Sequence, residues 1–187
     1  LTEASDVRVI VFTGAGDEAF SAGADIKDFE QHRNNEANSR RYAEAFDGAL
    51  DAVESIPIPT ISCIQGYCVG GGCEFSTATD IRIAADNSRF GVPVACLSVL
   101  VGYGEMRRLV NLVGPGPTTY LLLSGRLIDA PEALRIGLVT QVVPNAELRD
   151  TTYQLAQEMV DLAAKNIDTL SLQAAKFLNE WLDEQGF

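Results

Sequence analysis

The sequence predicts an α/β fold, and three observations carry that expectation. Apolar, β-branched runs recur at Val7–Phe12, Thr60–Ile64, Asp80–Ala85 and Leu138–Val143, and buried strands have this composition. Between them lie segments of helical periodicity, clearest over 42–56, where Ala43, Phe46, Leu50 and Val53 fall on one side with acids between. A glycine-rich junction, Gly66-Tyr67-Cys68-Val69-Gly70-Gly71-Gly72-Cys73-Glu74, joins the second strand to a helix. Strands that alternate with helices in this way argue an α/β architecture.

In chain order, Val7–Phe12 reads as an interior strand, ended by the turn Thr13-Gly14-Ala15-Gly16-Asp17. Phe20–Lys27 reads as a strand end entering a loop of small residues. Glu30–Arg41 has the composition of a polar surface stretch, and the helix over 42–56 is stopped by Pro57 and Pro59. The strand Thr60–Ile64 leads into the glycine junction, and Phe75–Thr79 continues as a short buried helix. A strand at Asp80–Ala85, a turn at Asn87-Ser88 and an extended Arg89–Pro93 follow. Val94–Val101 is apolar and suits a pocket wall. Gly102-Tyr103-Gly104 is a loop before a helix with Met106, Leu109, Val110 and Val113 on one side, broken by Gly114–Pro117. Thr118–Ser124 reads as a buried helix. Asp129 caps a helix over Ala130–Ile136 with Pro131 in its first turn, and Gly137 ends it. After the strand Leu138–Val143, amphipathic helices span 146–164 and 168–184. No internal repeat or low-complexity segment is visible.

The chain of 187 residues suits one domain, with 47% hydrophobic and 21% charged residues. Its net charge of −12 argues against non-specific binding to nucleic acid or to an anionic membrane. No run is apolar enough to span a membrane. The cysteines Cys63, Cys68, Cys73 and Cys96 form no Cys-x-x-Cys pair and the single histidine is His32, so a metal centre is not expected. The cysteines read as small buried apolar residues. No signal peptide is visible, and the expectation is a cytoplasmic protein. Because an interior-looking strand follows so soon after Leu1, native chain is expected to precede it.

Three consecutive glycines are costly to order. The return is backbone that a ligand can approach, next to the N–H groups and positive dipole of a helix start. Glu74, two residues past the last glycine, has two readings: a base facing the same charge centre, or a complement to the helix dipole. The glycine run has a structural alternative too, as a tight turn with close helix–strand packing.

Taken together, Ser21–Lys27, Pro59-Thr60, Gly66–Glu74, Asp80–Ala84, Leu123–Ala133, Gly137–Val139 and Val142–Pro144 resemble the enoyl-CoA hydratase/isomerase (crotonase) family, in order and over nearly the whole chain. The resemblance implies a ββα spiral core over 1–145 and C-terminal helices over 146–187 that pack or make subunit contacts. It implies an acyl-CoA thioester substrate, with coenzyme A as part of the substrate and no covalently bound cofactor, and a homotrimer or a hexamer of paired trimers. Members start earlier and extend further, so the N-terminal strands and the C-terminal end are expected to be missing. By motif, the backbone N–H groups of Ala24 and Gly71 would form an oxyanion hole, and removing one such donor costs about 3–4 kcal/mol of barrier. Ala22, Gly23, Asp25, Ile26, Lys27 and Gly70 would line the coenzyme A site. Lys27 reads equally as a phosphate partner or a solvated surface residue.

Glu74 matches the first of the two glutamates of hydratases in this family. The second follows the proline of a Gln-Pro-Glu triplet, and here that triplet reads Val92-Pro93-Val94. Hydration of a 2-enoyl thioester needs a base for water and an acid for the α-carbon, and Val94 supplies neither. Glu105 or Tyr103 could supply a proton from a new direction, although Glu105 also reads as a solvent-facing residue at a helix start. Cys96 or Ser98 could bind a polar group. The resemblance implies hydration or dehydration of a 2-enoyl-CoA. The alternatives are double-bond isomerisation, decarboxylation or thioester hydrolysis with Glu74 alone, and a non-catalytic member that only binds coenzyme A esters.

Overall fold

The structure is a computed structural model that describes residues 7–25, 27, 35–97 and 101–164. The helix expected over 168–184, Ile26 and Ser98 lie outside the described residues.

Strands come in successive pairs, and each pair contributes one strand to each of two sheets. Strands β1 (Ile10–Thr13), β3 (Thr60–Ile64), β5 (Ile81–Ala85) and β8 (Gln141–Val143) form one parallel sheet in that order. Strands β2 (Ala19–Ser21), β4 (Tyr67–Val69), β6 (Arg89–Gly91) and β7 (Ile128–Asp129) form the other, parallel except for the last pair. Helix α1 (Glu36–Glu54) follows the first strand pair, α2 (Gly71–Thr77) the second, and α3 (Val94–Leu97), α4 (Tyr103–Val113) and α5 (Pro115–Ser124) the third. Helix α6 (Ala130–Arg135) and α7 (Leu148–Ala164) complete the described chain. This is a repeating ββα spiral with a helical C-terminal segment. The sequence shows no repeat because only the backbone path repeats.

The strand Thr60–Ile64 is found where expected, and all five of its residues are buried. Its alternation splits the interior. Ile61 and Cys63, with Ile83 and Ala85 of β5, face a core completed by Leu148 and Ala156 of α7. Ile64 and Ala84 face a larger core with Cys68, Phe90, Leu109, Leu121 and Leu138. That side-to-side split is the period-2 pattern of a strand covered on both faces.

Several boundaries differ from expectation. Helix α1 begins at Glu36, inside the stretch read as polar surface, because the Asn35 side chain accepts the Asn38 N–H at 2.9 Å and caps it. The strand pair around the glycine junction was hidden, since Tyr67–Val69 is only three residues long. Helix α4 starts at Tyr103, one residue after Gly102. The break before α5 is Gly114 alone, with Pro115 in the first turn where its missing N–H costs nothing. Helix α5 is not buried throughout: Thr118 and Leu121 are, but Tyr120 and Leu123 are exposed. Helix α6 is capped as expected, with Asp129 Oδ1 accepting the Glu132 N–H at 3.0 Å. Three cysteines are buried and Cys96 is exposed, so the expectation of four buried cysteines fails at Cys96.

Candidate active site

The site is built where β2 and β4 end and α2 begins. Gly70 precedes α2 with φ +55° and ψ −129°, a conformation side chains rarely adopt, and has no side chain to cap the helix. Its N–H donates to the Gly91 carbonyl at 2.8 Å, which ties the turn to β6. Position 72 needs glycine for a different reason. A Cβ there would stand 2.5 Å from Ser21 Cβ and 2.6 Å from the Ser21 carbonyl oxygen, so only glycine lets α2 approach the end of β2. Phe75 anchors the same helix from below, edge-on to Phe12 at 5.1 Å and near Phe20 at 6.2 Å between ring centroids.

This close approach brings two stretches of main chain together. A Cβ on Gly23 would lie 3.1 Å from the Val69 carbonyl oxygen, 3.4 Å from the Gly71 nitrogen and 3.6 Å from Gly70 Cα. The loop is shaped by its own side chains, with Ser21 Oγ accepting the Gly23 N–H at 3.3 Å and Asp25 Oδ1 accepting the Lys27 N–H at 2.9 Å. Ala22, Ala24, Asp25 and Lys27 are exposed, whereas Gly23, Gly70 and Gly71 are half-buried. The N–H groups of the first turn of a helix have no intrahelical partner, and Gly71 is the first residue of α2.

Glu74 stands on the same turn and is half-buried. A Cβ on Gly71 would lie 3.9 Å from Glu74 Oε2 and 3.3 Å from Phe46 Cζ. The carboxylate therefore hangs over Gly71 with the Phe46 ring of α1 beside it. Val94, at the position of the missing second glutamate, packs its side chain against the larger core. Tyr103 is 80% exposed. Glu105 is not solvent-facing as its helix-start position suggested: it is 9% exposed, and burial followed by the nearby Asp47 carboxyl pushes its pKa up. Sequence reasoning missed Asp47 and Phe46 as neighbours of the site. Their signal was present, since both lie on a helix with a regular apolar face, but nothing local showed which face met the glycines. A groove lined by Pro117, Tyr120, Ile128 and Ile136 between α5 and α6 shares no residue with this cluster.

Among the described residues no group of three or more His, Cys, Asp and Glu side chains could hold a metal ion. None of their helices is long and apolar enough to cross a membrane.

A ββα spiral with a glycine-started helix pressed against a small-residue loop defines a class of protein that presents main-chain N–H groups beside a carboxylate. The profile of the enoyl-CoA hydratase/isomerase family matches residues 1–185, and the chain belongs to that family. It is 38% identical over 159 residues to the short-chain-enoyl-CoA hydratase of Clostridium acetobutylicum, which covers 85% of this chain and 60% of the relative. It is 39% identical over 150 residues to the crotonyl-CoA hydratase of Syntrophomonas wolfei, with 80% and 57% covered. A crystal structure of an enoyl-CoA hydratase/carnithine racemase from Magnetospirillum magneticum superposes with a TM-score of 0.89 at 33% identity, covering 97% of this chain and 66% of that one. The chain thus spans about 60% of the length of the curated relatives it matches.

Proposed function

We propose that the chain carries the enolate-stabilising site of an acyl-CoA lyase that adds water to, or removes it from, a 2-enoyl-CoA. The observation that carries this reading is the convergence of Gly23 and the Glu74 carboxylate on Gly71, the first residue of α2. In the reaction, the thioester oxygen lies between the N–H groups of Ala24 and Gly71. Charge that moves onto that oxygen when C3 is attacked is met by donors already in place. Glu74 takes a proton from water as the hydroxyl adds to C3, then returns it to C2, so one carboxyl serves as base and acid in turn. Ala22, Gly23, Asp25, Lys27 and Gly70 flank the thioester and the coenzyme A arm. The family membership and the hydratase names of the relatives support this reading.

A second reading is favoured by Val94. Its apolar side chain is packed on the core, and a single carboxylate suffices to move a proton between carbons, as in a double-bond isomerase. Incubation with crotonyl-CoA in D₂O separates the two, read by mass and NMR. Water addition that Glu74→Gln lowers by about 10²–10⁴-fold supports hydration. Deuterium exchange without water addition moves the assignment to isomerisation or decarboxylation, and coenzyme A ester binding with neither outcome makes the protein a non-catalytic binder. Assembly as a trimer or paired trimers belongs to the same proposal, and light scattering of the purified chain tests it.

A further inference from the structure

Helix α1 presents two adjoining faces to the site. Phe46, Leu50 and Val53 form the apolar one, and Asp47, Asp51 and Glu54, at the same spacing one residue on, form an acidic one. The acidic face meets α4. Arg108, 2% exposed, donates from Nε to Glu54 at 2.9 Å and from Nη2 to Asp51, and Arg107 reaches Glu54 at 3.3 Å. Both guanidiniums are thereby engaged with Asp51 and Glu54.

Asp47 and Glu105 are left over. Asp47 Oδ1 and Glu105 Oε2 are both buried, and neither accepts a hydrogen bond from a described residue. Asp47 Oδ1 packs against Gly104, the residue before Glu105, and the Asp47 charge helps to raise the Glu105 pKa. Gly102 and Gly104 make the room: a Cβ on Gly102 would meet the Glu105 carboxyl, and one on Gly104 would lie 3.3 Å from both Asp47 Oδ1 and Arg108 Nη1. Two neighbouring buried carboxylate oxygens without a donor are costly. One proton between them satisfies both.

We propose that Glu105 is protonated and donates this proton to Asp47 Oδ1, and that this hydrogen bond locks the start of α4 to α1 and so holds the Phe46 ring against Gly71 and Glu74. Glu105 is then a positioning residue, acting on Glu74 through α1. A main-chain N–H at Glu105 and, less strongly, the Arg108 cation oppose protonation, and burial with Asp47 outweighs them. Of the other helices packed on α4, α2 brings Cys73 and Glu74, and α5 brings only the exposed Tyr120 as a titratable group. The activity consequence rests on the reading of Gly71 and Glu74 given above; the Glu105 proton does not.

The sign follows from linkage. A carboxyl whose pKa is raised on folding stabilises the fold most while protonated, and that contribution is lost as pH rises through the raised pKa. The experiment compares the full wild-type chain with Glu105→Gln, whose amide donates to Asp47 at every pH, and with Asp47→Asn as a second variant. Carboxyl-labelled infrared difference spectra, thermal midpoints and kcat are followed against pH. The wild type is expected to show a protonated carboxyl titrating above the usual glutamate range, and a midpoint and kcat that fall together through that titration. Glu105→Gln is expected to lose the carboxyl signal, keep kcat and lose both alkaline declines. Wild-type and Glu105→Gln profiles that superimpose, or no protonated carboxyl in the wild type, overturn the proposal. So does a folded Glu105→Gln with kcat down about 10²-fold or more, since the proton would then be used in the chemistry. A titration and melting profile as expected, with turnover insensitive to Glu74→Gln, upholds the Glu105 proton and overturns the proposed role of Glu74.

Discussion

Gly71 and Gly72 are neighbours in sequence, yet they face different surroundings. A methyl at 71 meets the Phe46 ring at 3.3–3.4 Å and Glu74 Oε2 at 3.9 Å, all groups at the ends of side chains that can yield. A methyl at 72 meets Ser21 Cβ and backbone at 2.5–2.6 Å, which cannot yield without parting α2 from β2. Gly71→Ala is therefore expected to change unfolding free energy by less than about 1 kcal/mol while lowering kcat, because the methyl pushes on the Phe46 ring beside Glu74 and narrows the space over the Gly71 N–H. Gly72→Ala is expected to cost about 2–3 kcal/mol as an overpacked core position. Urea titration of both variants, with turnover measured on each, checks the pair, and equal stability losses would refute the distinction. Arg82 shows how much of this neighbourhood is held by one buried side chain. Its guanidinium donates to the Leu138 carbonyl at 2.9 Å and to those of Ser76 and Thr79, and burial lowers its pKa to about 10, still far above neutrality. The charge thus closes the C-terminal end of α2, whose N-terminal end carries the site. Nothing local in the strand Asp80–Ala85 marks Arg82 as closing a helix; that role depends on residues brought from elsewhere by the fold.

At the scale of elements, what was legible was local. The core strand Thr60–Ile64, the helix after Asp129 and the glycine-started helix could all be read because each is specified by its own residues: an apolar run, a side-chain cap with a following proline, and a backbone that only glycine adopts. Asp129→Ala is accordingly expected to cost about 1 kcal/mol, measured by chemical denaturation, with no change in turnover since α6 lies outside the site. In the second sheet the ends at Phe20–Ser21 and Arg89–Gly91 were read as extended, but Tyr67–Val69 and Ile128–Asp129 were not legible. Three residues give too short a window for period-2 alternation, and Tyr67–Val69 owes its conformation to backbone pairing with β2 and β6. The burial of Glu105 was equally hidden. A charged residue in the first turn of a helix reads as complementing the dipole, and only the docking of α1 on α4 turns that position inward. The same docking explains why Asp47 and Phe46 were unseen as neighbours of Gly71.

For the molecule as a whole, the first sheet separates two cores, and only one of them reaches the site. Leu109 and Leu121 of helices α4 and α5 belong to the larger core, as do Cys68, just before the glycines, and Cys73 of α2. The other core is closed by α7 through Leu148 and Ala156, with Met159 against its edge. Leu148 is 1% exposed and stands at the start of that helix. Truncating it to alanine removes buried apolar volume on the side of the sheet away from Gly71 and Glu74, so the loss is expected in stability alone. Leu148→Ala should cost about 2–4 kcal/mol and leave kcat and KM unchanged at temperatures where the variant remains folded. The spiral makes this separable: each strand pair feeds both sheets, but the loops and helix starts that form the site all follow strands of the second sheet or lean on the larger core. A fall in kcat that tracks the stability loss, with the folded fraction held constant, would mean that the first sheet transmits strain between its faces and that the two cores act as one.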